Sequence, residues 1–264
     1  MSYETVKWEQ SEGVGRITLN RPDSLNAWTE QLGHELGELV GVRAADASVR
    51  AVLVTGEGRG FSSGRDLKAG FSAHPDDGRP DVARELHEIY HPVIATIRRL
   101  EKPVVAAVNG PAVGIGCSLA LSCDLVLAAE SAYFALAFVN IGLMPDGGST
   151  LLVPAAVGKA RAFQMAILGE RVDAARALEW GLVNERHPDA ELLPAAEALV
   201  ARLAAGPTRA YADSKSALNR AIYPDLDRQL ALEADLQHQL VRTDDFLEGA
   251  GAFVEKRTPA FKGS

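Results

Sequence analysis

Three stretches of this 264-residue chain place glycines, free backbone N–H groups and a carboxylate where chemistry could be done. The first is GPAVGIGCSLAL, at 110–121. Its glycines lead from an apolar run into a helical one. Glycine lets a ligand approach the backbone closely, and the unpaired N–H groups of a helix start favour negative charge. The spacing G-x-x-x-G-x-G is neither the dinucleotide fingerprint nor a P-loop, which needs a Gly-Lys-Ser/Thr ending. Tight strand–helix packing is the structural alternative. The second stretch is GRGFSSGRD, at 58–66, directly after a buried strand. Such loops commonly hold ligands in α/β proteins. Two of them could each give one N–H to the same oxygen and form an oxyanion hole.

The third stretch is GLMPDGGST, at 142–150, which carries Asp146. Read as chemistry, Asp146 is a general base in an apolar pocket lined by Phe138, Ile141 and Met144. Such surroundings raise a carboxylate's pKa and make it a better proton shuttle. Read as structure, it is a turn or capping aspartate in Pro-Asp-Gly.

Other groups carry less. His34, His74, His87, His91, His187 and His238 show no metal spacing. His87 and His91 lie four apart on a helical pattern and read as a solvated face. Ser62 and Ser63 lack the nucleophile-elbow pattern. Cys117 and Cys123 form no CxxC pair and read as small core side chains in a reducing compartment. No metal site is expected.

The elements that must position these groups follow from periodicity. Val6–Glu9 and Val14–Leu19 read as strands around a turn. Thr29 caps a helix reaching about Arg43, and Val49–Thr55 reads as a strand buried on both faces. The loop at 70–81 is the segment expected to be most mobile. Val82–Leu100 is helical with a kink at Pro92, and Pro103–Asn109 is a buried strand. Leu125–Ala129 and Ala132–Phe134 complete the strands. Helix patterns dominate from about Gly158 to Leu247. Alternating strands and helices followed by helices alone predict an α/β core over 1–200 and a helical region over 201–264.

Bulk composition is that of an ordinary globular chain, 47% hydrophobic and 23% charged. A net charge of −8 argues against general nucleic-acid binding. The N-terminus has no basic-then-apolar signal, and no apolar run approaches the ~20 residues of a membrane span. A cytoplasmic protein is expected, with neither nucleic acid nor membrane as partner.

Taken in order, NRPDSLNA, GEGRGFSSGRDL, KPVVAAVNGPAVGIGCSLALSCDLVLAAESAYF, IGLMPDGGST and AFVEKRTPAF resemble the crotonase superfamily, the enoyl-CoA hydratase/isomerase family. The resemblance spans essentially the whole chain. It implies a spiral of ββα turns followed by C-terminal helices that build a homotrimer, often paired into a hexamer. It also implies that the backbone N–H groups of Arg65 and Ile115 hold a thioester oxygen. The Arg65 side chain then either points away or reaches the CoA phosphates. Coenzyme A, part of the substrate and not a separate cofactor, is implied to pack against Leu25, Ala27, Ser63, Gly64, Asp66, Leu67 and Lys68. Gly114 and Phe138 are implied to border the acyl group, and Lys256 with Arg257 to approach the CoA phosphates.

Hydratases of this family hold a water between two glutamates. The corresponding positions here are Ser118 and Phe138. Serine lacks useful basicity and phenylalanine cannot bind the water. Asp146 stands where the isomerases carry their single acid/base. The resemblance therefore implies an acyl-CoA isomerase, of the Δ3,Δ2-enoyl-CoA or ring-epoxide kind, with the second group nearer in IGLMPD and AFVEKRTPAF. The alternatives are an enoyl-CoA hydratase, an idle acyl-CoA-binding homologue, or a thioester hydrolase or dehalogenase on the same fold.

Overall fold

A computed structural model describes residues 3–264. The chain opens with β1 (Val6–Ser11) and β2 (Val14–Leu19), paired antiparallel around Glu12–Gly13. Helix α1 (Glu30–Glu38) is capped as expected, Thr29 Oγ1 accepting from the Leu32 N–H at 3.2 Å. It continues as a π-helical turn through Arg43. Then follow β3 (Ala51–Gly56), α2 (Val82–Glu85), α3 (His91–Arg99) and β4 (Val104–Val108). The central motif contains β5 (Ala112–Val113), α4 (Ile115–Ser122), β6 (Leu125–Ala129) and β7 (Tyr133–Ala135).

Beyond these come α5 (Ser149–Leu168), β8 (Val172–Asp173), α6 (Ala174–Trp180) and β9 (Glu185–His187). Helices α7 (Asp189–Ala205), α8 (Thr208–Ile222), α9 (Leu226–Leu240) and α10 (Asp244–Glu255) end the chain. Strands β8 and β9 fall in the stretch expected to be helical. At two and three residues they are too short to carry a period of their own.

A six-stranded sheet has the order β1-β2-β3-β4-β6-β9, parallel apart from the first hairpin. A second sheet has the order β5-β7-β8. Successive strands alternate between the two, β4 to β5 and β6 to β7, with a helix closing each turn. Ser62 joins the pattern through a parallel bridge to Ala112. This is the expected ββα spiral. Every residue of β4 and of α4 is buried, so neither shows amphipathic alternation. Cys117 and Cys123 are free and buried there, their thiols pushed up to about 12 by burial.

Between α2 and α3 the chain forms a π-helical turn, Leu86–Tyr90. The expected kink at Pro92 is taken up here. The His91 N–H reaches back to the Leu86 carbonyl, and Pro92 stands in the first turn of α3 where no N–H partner is needed. His91 is buried and not on a solvated face. Neither ring nitrogen makes a hydrogen bond, and burial, then the charge of His87, drives its pKa down to about 3.

The 70–81 loop is tied down by Arg79 Nη1, which donates to the Arg242 carbonyl at 2.5 Å, and by an Arg242–Asp77 ion pair at 3.1 Å. Helix α5 is long and apolar enough, by length and composition, to cross a membrane, although Lys159 and Arg161 interrupt its apolar run. Gly158 (φ 76°, ψ 169°) breaks it into two segments, and Leu152, Val153, Val157, Ala162 and Met165 are buried in the fold.

Candidate active site

The two glycine loops converge. Ser62 N–H donates to the Pro111 carbonyl and Val113 N–H to the Ser62 carbonyl, both at 2.9 Å. The approach is close enough that glycine is required on each side. A Cβ at Gly64, whose φ is 91°, would stand 2.9 Å from the Val113 carbonyl oxygen, and one at Gly116 would stand 2.5 Å from the Ser62 oxygen.

This pairing also decides which N–H groups stay free. A parallel bridge between Trp28 and Arg65 uses the Gly64 carbonyl (2.7 Å) and the Asp66 N–H (2.8 Å). The Arg65 N–H, between them, makes no hydrogen bond among the described residues. Ile115 is the first residue of α4, so its N–H has no intrahelical acceptor. Both residues line one cavity of about 200 Å³.

Of the residues expected at the site, Ser63, Gly64, Arg65, Leu67, Gly114, Ile115, Phe138 and Asp146 line that cavity. Leu25, Ala27, Asp66, Lys68 and Lys256 do not. Leu25 and Ala27 instead run alongside the first glycine loop, where the Leu25 carbonyl accepts from Ser63 N–H at 2.9 Å. Asp66 pairs with Arg21 at 2.9 Å. Lys68 and Lys256 are exposed outside the cavity. Arg257 is bound to Glu248 and Glu255 on its own chain. Ile141 lines the cavity as expected, whereas Met144 does not and Leu143 stands there instead.

Asp146 is 6% exposed and does not use its side chain as a cap. Its Oδ2 accepts from Gln237 Nε2 at 2.7 Å. Burial raises its pKa to about 8. The Gln237 bond opposes that rise, and the charges of Glu233 and Glu85 add to it. Ser118 Oγ donates to the Asp146 backbone carbonyl at 2.9 Å. Phe138 stands against Gly114 on the cavity wall.

The Arg65 side chain is held by groups of its own chain. It makes a two-point pair with the fully buried Glu85, at 2.8 and 2.7 Å, and its guanidinium stacks 3.6 Å above Phe71.

Sequence reasoning missed the contribution of α9. Gln229, Glu233 and Gln237 are spaced by four and share one helical face. Glu233 accepts from the N–H groups of Gly148 (2.7 Å) and Thr150 (3.1 Å), capping α5, which has no cap of its own. Burial raises the pKa of Glu233 to about 7. It also missed Tyr90, Leu86, Val82, Phe71 and Phe253, which line the cavity.

Arg65 and Ile115, whose N–H groups have no partner among the described residues, and the buried carboxylate of Asp146 thus line one largely apolar cavity on a two-sheet ββα spiral. The family model for enoyl-CoA hydratase/isomerase matches residues 9–264. The chain belongs to that family, within the crotonase superfamily, and is an enzyme of acyl-CoA hydratase/isomerase type. It is 44% identical to a probable enoyl-CoA hydratase of Rhodobacter capsulatus over 263 residues, all of both chains. It is 40% identical to the 1,2-epoxyphenylacetyl-CoA isomerase of Escherichia coli, covering 96% of each. A solved enoyl-CoA hydratase from Mycobacterium avium subsp. paratuberculosis superposes with a TM-score of 0.89 at 43% identity, covering 99% of this chain and 100% of that one.

Proposed function

We propose that this chain is an isomerase that moves a proton, and with it a double bond or a ring bond, beside a CoA thioester. The observation that carries the reading is that Asp146 is the one carboxylate on the cavity wall among the described residues; the resemblance supports it, since it sets Ser118 and Phe138 where hydratases of the family carry their two glutamates. In this reading the thioester oxygen lies between the N–H groups of Arg65 and Ile115. Each such donor contributes about 3–4 kcal/mol to the enolate-like transition state. The Asp146 carboxylate takes the C2 proton of a 3-enoyl thioester, and the electron pair moves into the carbonyl to give a dienolate. The carboxylic acid then returns the proton to C4, leaving the double bond between C2 and C3. A carboxyl group with its pKa near 8 is better matched to a weak carbon acid than an exposed one.

The CoA moiety is proposed to lie along Leu25, Ala27, Ser63 and Asp66 towards Lys68, with Lys256 near its phosphates. It belongs to the substrate, and no separate cofactor is needed. Apolar side chains left exposed on α5 (Phe163, Ile167, Leu168), on α8 (Leu218, Ile222) and on α10 (Leu247, Val254) support assembly into a homotrimer or a hexamer. Rearrangement of a ring epoxide to an oxepin with the same groups is the second reading, favoured by the 40% identity to the Escherichia coli isomerase.

The test compares 3-hexenoyl-CoA with crotonyl-CoA, on wild type and Asp146→Ala. Conversion of the 3-enoyl thioester that is lost in the variant, without hydration of crotonyl-CoA, supports the reading. Fast hydration that survives the substitution overturns it.

A further inference from the structure

The cavity wall is apolar along Val82, Leu86, Leu136, Ile141 and Leu143, yet it holds one polar side chain that the protein leaves unsatisfied. Tyr90 is 3% exposed, and its hydroxyl is buried without a hydrogen-bond partner among the protein's groups. The other polar side chains of the wall differ. Arg65 is engaged by Glu85 and by the carbonyls of Asp66 and Gly70. Ser63 Oγ donates to the Ser24 carbonyl at 3.0 Å, and Asn140 is exposed.

The Tyr90 ring is fixed. It ends the π-helical turn, a feature common at functional sites, and packs edge-on against the fully buried Trp28 at 5.2 Å. Burial and the charge of Glu85 raise its pKa and keep the phenol protonated, so it is a donor. Phenylalanine would pack in this place without leaving a buried hydroxyl unbonded. A bare alkenyl chain would leave that hydroxyl unbonded in the complex as well.

We infer that Tyr90 is a specificity-determining residue whose hydroxyl donates to an oxygen carried on the acyl group, so that the cavity takes an oxygenated, ring-sized acyl thioester. A cavity of about 150 Å³ holds benzene, and this one is about 200 Å³. The inference deepens the isomerase reading by naming the acyl class. It rests on that reading for turnover, but not for binding.

The experiment is therefore a binding measurement. Calorimetric affinities are taken for phenylacetyl-CoA and for its 2-, 3- and 4-hydroxyl derivatives, with wild type and Tyr90→Phe. Wild type is expected to favour at least one hydroxylated ligand by roughly tenfold to a hundredfold, the range set by leaving a buried donor unpaired. Tyr90→Phe is expected to lose that preference, bind phenylacetyl-CoA at least as well, and melt no lower than wild type. The inference is overturned by a wild type that does not discriminate, by a preference that survives the substitution, or by a lowered Tm, which would make the hydroxyl structural. Loss of the isomerase reading is seen separately, as a wild type that binds these ligands but turns over neither 3-hexenoyl-CoA nor a ring epoxide.

Discussion

Gln237 on α9 holds Asp146 by a single bond whose direction is fixed. Its Nε2 donates to Asp146 Oδ2 at 2.7 Å and to the Met144 carbonyl at 2.8 Å, while its Oε1 accepts from the Met144 N–H at 3.4 Å. The backbone of Met144 thus sets the amide so that its N–H, and not its carbonyl, faces the carboxylate. A donor there favours the charged form and opposes the rise caused by burial.

Gln237→Leu is therefore expected to push the Asp146 pKa above its present value of about 8. A hydrogen bond to a charged group contributes about 1.5–3 kcal/mol, on the order of one pH unit or more. Isomerase kcat/KM at neutral pH should fall about tenfold and recover as pH rises. Gln237→Glu, which brings a second carboxylate, should displace the profile further. A uniform loss at every pH would mean that Gln237 only supports packing.

The glycine loops, the buried β3 and β4, and the carboxylate at Asp146 were legible because each is local. A Gly-rich turn, a run of β-branched residues and a Pro-Asp-Gly segment announce themselves within ten positions. What α9 does was not legible. Gln229, Glu233 and Gln237 look like the solvated face of an ordinary helix, and only their docking onto residues 144–150 makes them partners of the site. Tyr90 and Glu85 were not legible individually for the same reason: they lie in a stretch read as helix, in which nothing local marks the residues that face the cavity. The convergence of the two glycine loops is likewise a property of the sheets and not of either loop.

The pH dependence of stability follows from the same carboxylate. An unfolded aspartate has a pKa near 3.9, whereas Asp146 in the fold has one of about 8. Between these values the unfolded chain releases a proton that the folded protein keeps, so stability falls as pH rises. The slope from one group is at most about 1.4 kcal/mol per pH unit. Glu233, raised to about 7, acts with the same sign over a narrower window. Asp146→Asn is expected to flatten this decline and to raise the Tm at pH 8 while abolishing isomerisation. Thermal melts from pH 5 to 9 check the sign. A wild type that grows more stable across that range would remove the raised pKa from the argument.

Ser118 separates this site from a two-carboxylate hydratase by more than one residue type. Its hydroxyl donates to the Asp146 carbonyl, and a Cβ at Gly147 would come within 2.9 Å of Ser118 Cβ. Ser118 is thus packed close against Gly147, and a longer side chain extending that way would crowd this contact. Ser118→Glu is expected to destabilise the fold by about 1–3 kcal/mol through overpacking and to leave crotonyl-CoA unhydrated. Ser118→Ala should cost about 1 kcal/mol, the value of one ordinary hydrogen bond, and retain most isomerase activity. Chemical denaturation and a hydration assay test both. A Ser118→Glu variant that is stable and hydrates crotonyl-CoA would show that the position alone decides the reaction.

The Arg65–Glu85 pair makes a prediction in which stability and chemistry part. Glu85 is fully buried and Arg65 partly so, with side-chain exposures of 0% and 17%. Removing one partner of a buried pair leaves an uncompensated charge and costs about 3–5 kcal/mol. Glu85→Ala is expected to fall in that range. The double variant Arg65→Met, Glu85→Met is expected to regain most of the loss, because neither charge then remains. The oxygen-binding group proposed at residue 65 is its backbone N–H, fixed by the bridge to Trp28 and independent of the side chain. The double variant should therefore keep a kcat within about tenfold of wild type, well short of the roughly hundredfold loss that follows removal of an oxyanion donor. A stable double variant with a loss of that larger size would place the guanidinium itself at the reacting carbonyl.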